Sequence, residues 1–303
     1  MDGARLQRHV VRLRDGRLVR VFDGGALDGT AILGMHGMPL SAAPFRRHLR
    51  AAQDRGVRWV TYDRPGYGGS TARPGRSVAD CQEEVRAIVE TLGLKRFGVW
   101  GWSAGAPHAL AVAARFPQKV FGTVLLATIA PHFSRGLDWY ADVGEFNAIE
   151  FRAARRGSGD LTALIEPQRE ELLRARPEAV RSAWATILSP ADRRALSGEF
   201  SKFFFHGMRE GIRPSISGWR DDDLALVRPW RVNWGSVRAP TLLLHGKDDW
   251  FVGPTHSECL ARRLPNSRVR IVPGEGHLSL FSHRLPGVLD WLAERGRLST
   301  LHG

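Results

Sequence analysis

The feature that most constrains this chain is an alternation: short β-branched or apolar runs trade places with stretches of helical periodicity along most of its 303 residues. Alternation of that kind marks βαβ units, which build a parallel sheet with helices packed on its faces. The runs Thr30–Met35, Val57–Tyr62, Arg96–Trp100, Val120–Ala127, Thr241–His245 and Val269–Val272 read as strands. An opening hairpin, Val10–Arg14 and Arg17–Phe22, is expected across Asp15-Gly16, a pair suited to a tight two-residue turn. Helices are expected over Ser77–Leu92 with Ser77 as N-cap, and over Pro107–Phe116, His256–Leu264 and Pro286–Arg295. The expected architecture is α/β, a mostly parallel, doubly wound sheet of about eight strands.

Between Pro131 and Gly235 the pattern turns wholly helical, broken at Gly157-Ser158-Gly159, Ser189-Pro190 and Asp221-Asp222-Asp223. Those 105 residues hold 13 of the 27 aromatics, half of them in a third of the length. We read the stretch as a helical cap inserted before the last two strands. The division is then 1–130 for the first part of the core, 131–235 for the cap and 236–303 for the second part of the core. A cap above the sheet's C-terminal edge would roof the usual ligand crevice of such folds.

Composition excludes more than it names. Hydrophobic residues make up 43% and charged residues 25%, the balance of a soluble globular protein. No apolar run approaches the ~20 residues of a membrane span. The start, Met1-Asp2-Gly3-Ala4-Arg5, lacks the apolar stretch of a secretory signal, and Cys81 and Cys259 lie far apart without metal-type spacing. A reducing cytoplasm is the expectation. The net charge of +13, from 44 basic and 31 acidic residues, raises the question of an anionic partner. The arginines are scattered, however, with no like-charge run and no basic helix interleaved with stacking aromatics. A solvated positive surface is the plainer reading, with no nucleic-acid or membrane partner, in a monomer or homodimer acting on a small molecule.

The chemistry concentrates at Gly101-Trp102-Ser103-Ala104-Gly105, set between an expected strand and an expected helix. That context is what a nucleophile elbow requires: a serine on a very sharp turn, with neighbours two residues away small enough to avoid collision. The helix that follows aims its dipole and free amides at the site, favouring a developing anion. A serine needs a base, and the base needs an orienting acid. His277, in the glycine-rich turn after Val269–Val272, is the candidate base. Asp248 and Asp249, in the loop after Thr241–His245, compete as the acid. His36 is expected to buttress a loop, His245 to pack at a strand end and His283 to lie on the surface. The loop His36-Gly37-Met38-Pro39 follows the strand Thr30–Met35, which makes the Met38 N–H a candidate oxyanion donor beside that of Ala104.

These pieces, together with Asp63-Arg64-Pro65-Gly66-Tyr67-Gly68-Gly69-Ser70, His245-Gly246-Lys247-Asp248-Asp249 and Gly274-Glu275-Gly276-His277, resemble the α/β-hydrolase superfamily in kind and in order. The resemblance spans Arg5 to about Arg297 and is weakest in the insertion, which corresponds to the family's cap. It favours Asp249 as the acid, three residues after the glycine of the H-G-x-x-D loop. It looks closest to esterase, aminopeptidase and cofactor-free perhydrolase branches. Relatives that open epoxides or displace halides carry aspartate at the elbow, so Ser103 argues against both reactions.

The resemblance implies a serine hydrolase acting on a small or medium ester through an acyl-enzyme, with Ser103, His277 and Asp249 as triad, Met38 and Ala104 as oxyanion donors, and no metal or organic cofactor. Cap aromatics (Trp139, Tyr140, Phe146, Trp184, Phe203, Phe204, Phe205, Trp219) point to an apolar substrate or simply glue the cap to the core. His36, Trp102, Trp139, Tyr140 and Trp250 are the candidate substrate contacts. C–C bond hydrolysis, peptide-bond cleavage and perhydrolysis use nearly the same site, and a binding module with an idle triad is the reading from another class. An aminopeptidase would need an anion for the substrate ammonium. Glu145, Glu150 or Asp221–Asp223 stand in the cap for that role, though each is expected to be part of a solvated acidic face.

Overall fold

The computed structural model describes residues 5–301; the reading of Met1–Ala4 and the last two residues of the 236–303 segment lie outside them. Eight strands form one sheet: β1 (Leu6–Arg12), β2 (Leu18–Gly25), β3 (Thr30–Met35), β4 (Val57–Tyr62), β5 (Phe97–Trp102), β6 (Val120–Leu126), β7 (Thr241–Gly246) and β8 (Ser267–Val272). Their order is β1-β2-β4-β3-β5-β6-β7-β8, with β2 antiparallel to β1 and β4 and every other pairing parallel. Helices α1 (Arg46–Asp54) and α11 (His277–Leu301) pack together on one face, and α2 (Gln82–Thr91) and α3 (Gly105–Arg115) on the other. The α/β, doubly wound architecture is therefore present. Strands β5 and β6, covered on both faces, are buried at every position, which explains why they read as unbroken apolar runs.

Strand order fixes where a ligand can enter. From β3 the chain steps to one side for β4 and to the other for β5, so β3 and β5 flank the switch point, and the crevice opens at their carboxyl ends. Between β6 and β7 come six helices: α4 (Glu145–Arg156), α5 (Ser158–Arg174), α6 (Pro177–Ala183), α7 (Pro190–Ala195), α8 (Gly198–Ile212) and α9 (Ser217–Leu226). A last short helix, α10 (Thr255–Ala261), precedes β8. No helix among the described residues is long and apolar enough to cross a membrane.

Three elements depart from expectation. The hairpin turn is three residues, not two: Gly16 N–H bonds to Leu13 O at 3.0 Å, Leu13 N–H to Arg17 O at 2.8 Å, and Gly16 takes φ 87°. Asp-Gly here supplies the bend and the left-handed residue of a bulged loop instead of a primed turn. The helix expected over Ser77–Leu92 opens as a 3-10 turn, Val78–Cys81, before α2 begins. The helix expected from Pro286 starts nine residues earlier, at His277, and runs through the proline. Pro286 has no N–H for the Ser282 carbonyl, and the His48 ring fills the vacancy, its Nε2–H donating to Ser282 O at 3.1 Å.

Candidate active site

Ser103 stands one residue beyond β5 with φ 55°, a left-handed conformation that L side chains rarely adopt. Its N–H donates to Leu126 O and its carbonyl accepts from Ala106 N–H, both at 2.9 Å, so the strand-to-helix turn is pinned from both sides. The spacing of glycines has a direct steric cause. A Cβ on Gly101 would lie 2.6 Å from Ala106 Cα, and one on Gly105 would strike the carbonyls of Met35 and His36. Only hydrogen fits at either place.

Asp249 follows β7 and His277 follows β8, and the loops bring them together: His277 Nδ1–H donates to Asp249 Oδ2 at 2.7 Å. Asp249 Oδ1 accepts from the N–H groups of Phe251 and Val252 at 2.9 and 3.0 Å. His245 Nε2 lies 3.3 Å from the same carboxylate, held by Ser257 Oγ at 2.6 Å and the Val252 carbonyl at 2.7 Å. Burial alone would push the Asp249 carboxyl up, but the His277 charge and the histidine hydrogen bonds hold it well below the usual carboxylate range. His277 shows the mirror image: burial pulls its pKa down, and the Asp249 charge and hydrogen bond carry it above the ordinary imidazole value. Asp248 is half-buried and makes no contact with His277; its N–H is spent on the Glu275 carbonyl at 2.9 Å.

Met38 and Ala104, with Ser103 and His277, line one cavity of about 190 Å³ beneath the helical insertion. The Met38 and Ala104 N–H groups have no protein acceptor among the described residues, which leaves two free donors beside the Ser103 hydroxyl. Ser103 Oγ and His277 share the cavity without a hydrogen bond between them. Apolar side chains make up most of the remaining wall: Phe146, Phe151, Trp184, Phe204, Met208 and Trp219 from the insertion, and Trp102 from below.

The alpha/beta hydrolase fold family model matches residues 30–284. The chain belongs to that family. This alpha/beta hydrolase is 24% identical over 283 residues to the AB hydrolase superfamily protein YisY of Bacillus subtilis, covering 91% of this chain and 94% of the other. It is 28% identical over 257 residues to the pimeloyl-[acyl-carrier protein] methyl ester esterase of Chromobacterium violaceum, 84% and 90% covered. A thermophilic esterase from Thermogutta terrifontis shares the fold with TM-score 0.69 at 21% identity, covering 96% of this chain and 99% of that one. These relatives support an enzyme of the hydrolase class.

Several expected substrate contacts of this hydrolase lie elsewhere. His36 is buried at the start of the His36–Pro39 loop, where Nδ1–H donates to Gly37 O at 3.0 Å and Nε2 accepts from Arg64 N–H at 3.1 Å. Burial, aided by the Arg64 charge, pushes its pKa well down, so it works as a neutral brace, not a substrate contact. Trp139 is sequestered with its indole N–H on Ala130 O at 2.8 Å; Tyr140 packs edge-on against it, under Arg152. Trp250 is 47% exposed on the outer surface. Trp102 does reach the cavity, stacked on Phe281 at 4.3 Å with its N–H on the His277 carbonyl at 3.2 Å.

Of the acidic residues expected as a solvated face, Glu145 is exposed, whereas Glu150 and Asp221–Asp223 are buried. Asp222 receives Tyr67 OH at 2.9 Å and Arg76 at 2.7 Å, and Arg64, which also donates to the His36 carbonyl, completes the shell. Burial would raise the Asp222 pKa, but the two guanidiniums force it below the usual range. Buried ion pairs thereby bolt α9 of the insertion to Arg64 and Arg76 of the core, and Arg64 reaches on to the His36 carbonyl. Glu150 lines the cavity wall itself, with the Trp219 indole N–H on Oε2 at 3.1 Å. Burial pushes the carboxyls of both Glu150 and the neighbouring Asp223 upward. Sequence reasoning missed Asp192, gave Arg64 no role beyond its motif, and read Asp222 as solvated; a carboxylate triplet inside a helical stretch was the available signal for the last.

Proposed function

We propose that this hydrolase cleaves a small or medium, apolar carboxylic ester through an acyl-enzyme. Ser103 Oγ attacks the carbonyl carbon while His277 Nε2 takes its proton, and Asp249 holds the imidazole in the tautomer that leaves Nε2 free. The carbonyl oxygen, now an anion, accepts from the Met38 and Ala104 N–H groups, donors worth about 3 kcal/mol each in barrier height. Collapse expels the alcohol, which takes the proton from His277. Water then repeats the sequence on the acyl group, and the acid leaves. What supports the reading most is the 2.7 Å Asp249–His277 contact opening on a cavity that also holds a strained serine and two unpartnered amides. Release of p-nitrophenol from a series of esters graded in acyl length tests it. Activity on short or medium chains, abolished by Ser103→Ala, is expected; no turnover across the series would overturn it.

Glu150 favours a second reading. A carboxyl in an apolar cavity wall, beside a buried second carboxyl, offers a seat for an ammonium group, as an aminopeptidase-like acyl compound would carry. An aminoacyl anilide tests this. Turnover that collapses in Glu150→Gln while p-nitrophenyl ester turnover persists would establish it, and inertness toward the anilide would dismiss it.

A further inference from the structure

Asp192 belongs to no motif. It sits in α7 of the insertion, fully buried, yet its carboxylate serves the last helix of the core. Oδ2 accepts the His277 backbone N–H, and Oδ1 accepts those of Leu278 and Ser279, each at 2.9 Å. These are the first three N–H groups of α11, which no carbonyl within a helix can satisfy. A carboxylate from a distant element therefore caps the helix whose first residue is the candidate base. The fit is close on both sides. Ser189 Oγ holds the Asp192 N–H at 3.2 Å, and residue 276 is glycine where a Cβ would strike Ser189 Oγ and press to 2.5 Å of Asp192 Oδ2.

We propose that Asp192 is a positioning residue for His277: from the cap, its carboxylate fixes the backbone of the base and so sets where the imidazole stands between Asp249 and Ser103. The proposal rests on His277 being the general base. Asp192 also adds negative charge near the ring, secondary to that of Asp249 in favouring the imidazolium. Burial and the nearby Asp249 raise the Asp192 carboxyl, whereas its three N–H donors favour the ionised form. The other titratable groups around the site are placed differently. His245 stands behind Asp249, Glu275 is engaged by His283 and Arg284, and Glu150 and Glu171 line the cavity from α4 and α5. Because the capping carboxylate comes from the insertion, the base is aligned only while cap and core stay docked at this point.

Asp192→Asn tests the role. Asparagine keeps the shape and still accepts from Leu278 and Ser279, but it removes the charge and turns an amide toward the His277 N–H. On a p-nitrophenyl ester, kcat is expected to fall about tenfold or more with KM little changed, since small displacements of a catalytic group are costly. His277 must be neutral to act; loss of a nearby negative charge lowers its pKa, so the acid limb of kcat/KM moves to lower pH by about half a unit. A lowered Tm with an unmoved acid limb and unchanged turnover per titrated site would reduce Asp192 to glue and overturn the proposal. NMR titration of the His277 ring in a Ser103→Ala background reads the same shift without turnover. If the protein hydrolyses no ester at all, the reaction fails as a reading, and an unmoved His277 midpoint would separately remove the role of Asp192. Should Asp192→Asn not fold, Gly276→Ala displaces the same carboxylate. It is expected to move the midpoint in the same direction by less, and an unmoved midpoint there is equally fatal.

Discussion

At Ser103 the backbone is held where a non-glycine residue sits at a cost of about 1–2 kcal/mol, and Gly101 and Gly105 are the condition for it. Gly105→Ala should therefore destabilise the elbow or displace the hydroxyl, with fluorophosphonate labelling lost at protein concentrations where the parent labels fully. The two neighbouring aspartates separate sharply. Asp249 touches His277 and Asp248 does not, so Asp249→Asn is expected to lower kcat by about 10³-fold or more, and Asp248→Asn by less than about twofold. The reverse ranking in steady-state kinetics would assign the acid wrongly. Since Asp249 lifts the His277 pKa above the ordinary 6.5, kcat/KM should rise along an acid limb centred above that value. In Asp249→Asn the limb should fall toward lower pH. The meeting of Asp249 and His277 near Ser103 was legible in the chain because each lies in a short loop directly after a strand, where motif spacing and strand ends coincide. The positions of Trp139, Tyr140 and Trp250 away from the cavity were not, because a residue type says nothing of which side of a loop it faces, whereas His36 does buttress its loop as expected.

The elements were legible where periodicity was strong and uncertain where a distant group completes them. Helix α1 carries three arginines among nine residues and no capping side chain at its start, so its apolar stripe was too thin to announce it. The true start of α11 was hidden because Pro286 looks like a first-turn residue, and the Ser282 carbonyl that the proline leaves unpaired is satisfied by His48, over 230 residues away. Replacing His48 by alanine leaves the Ser282 carbonyl buried and unpaired, an expected loss of about 1–3 kcal/mol by urea denaturation. Asp222 plays the larger part for α9. With Arg64 and Asp222 both fully buried, Asp222→Ala strands a guanidinium, and a loss of about 3–5 kcal/mol is expected from the urea midpoint. The folded pKa of Asp222 lies below its unfolded value. Its contribution is thus complete above the ordinary carboxylate range and fades as pH falls through the folded value. A midpoint independent of acid down to the lowest measurable pH in the parent, equal to that of Asp222→Ala, would contradict this.

For the whole molecule, the decisive relation is between a switch point and a roof. The sheet presents the Met38 loop, Ser103, Asp249 and His277 at one edge, and the helical insertion encloses them in a largely apolar cavity whose acidic lining residues among those described, Glu150 and Glu171, both come from the insertion. The architecture was readable from alternation alone, whereas the buried carboxylates were not, since an acidic run looks solvated until its guanidinium partners are in view. All of it turns on whether Ser103 is an activated nucleophile. The most direct measurement is intact-mass and peptide mapping after exposure to a fluorophosphonate. A single phosphonyl adduct on the Ser103 peptide, absent in Ser103→Ala and slowed in His277→Ala, is the expected result. A folded parent protein that stays unmodified while a control esterase reacts, or an adduct that survives Ser103→Ala, would contradict the account.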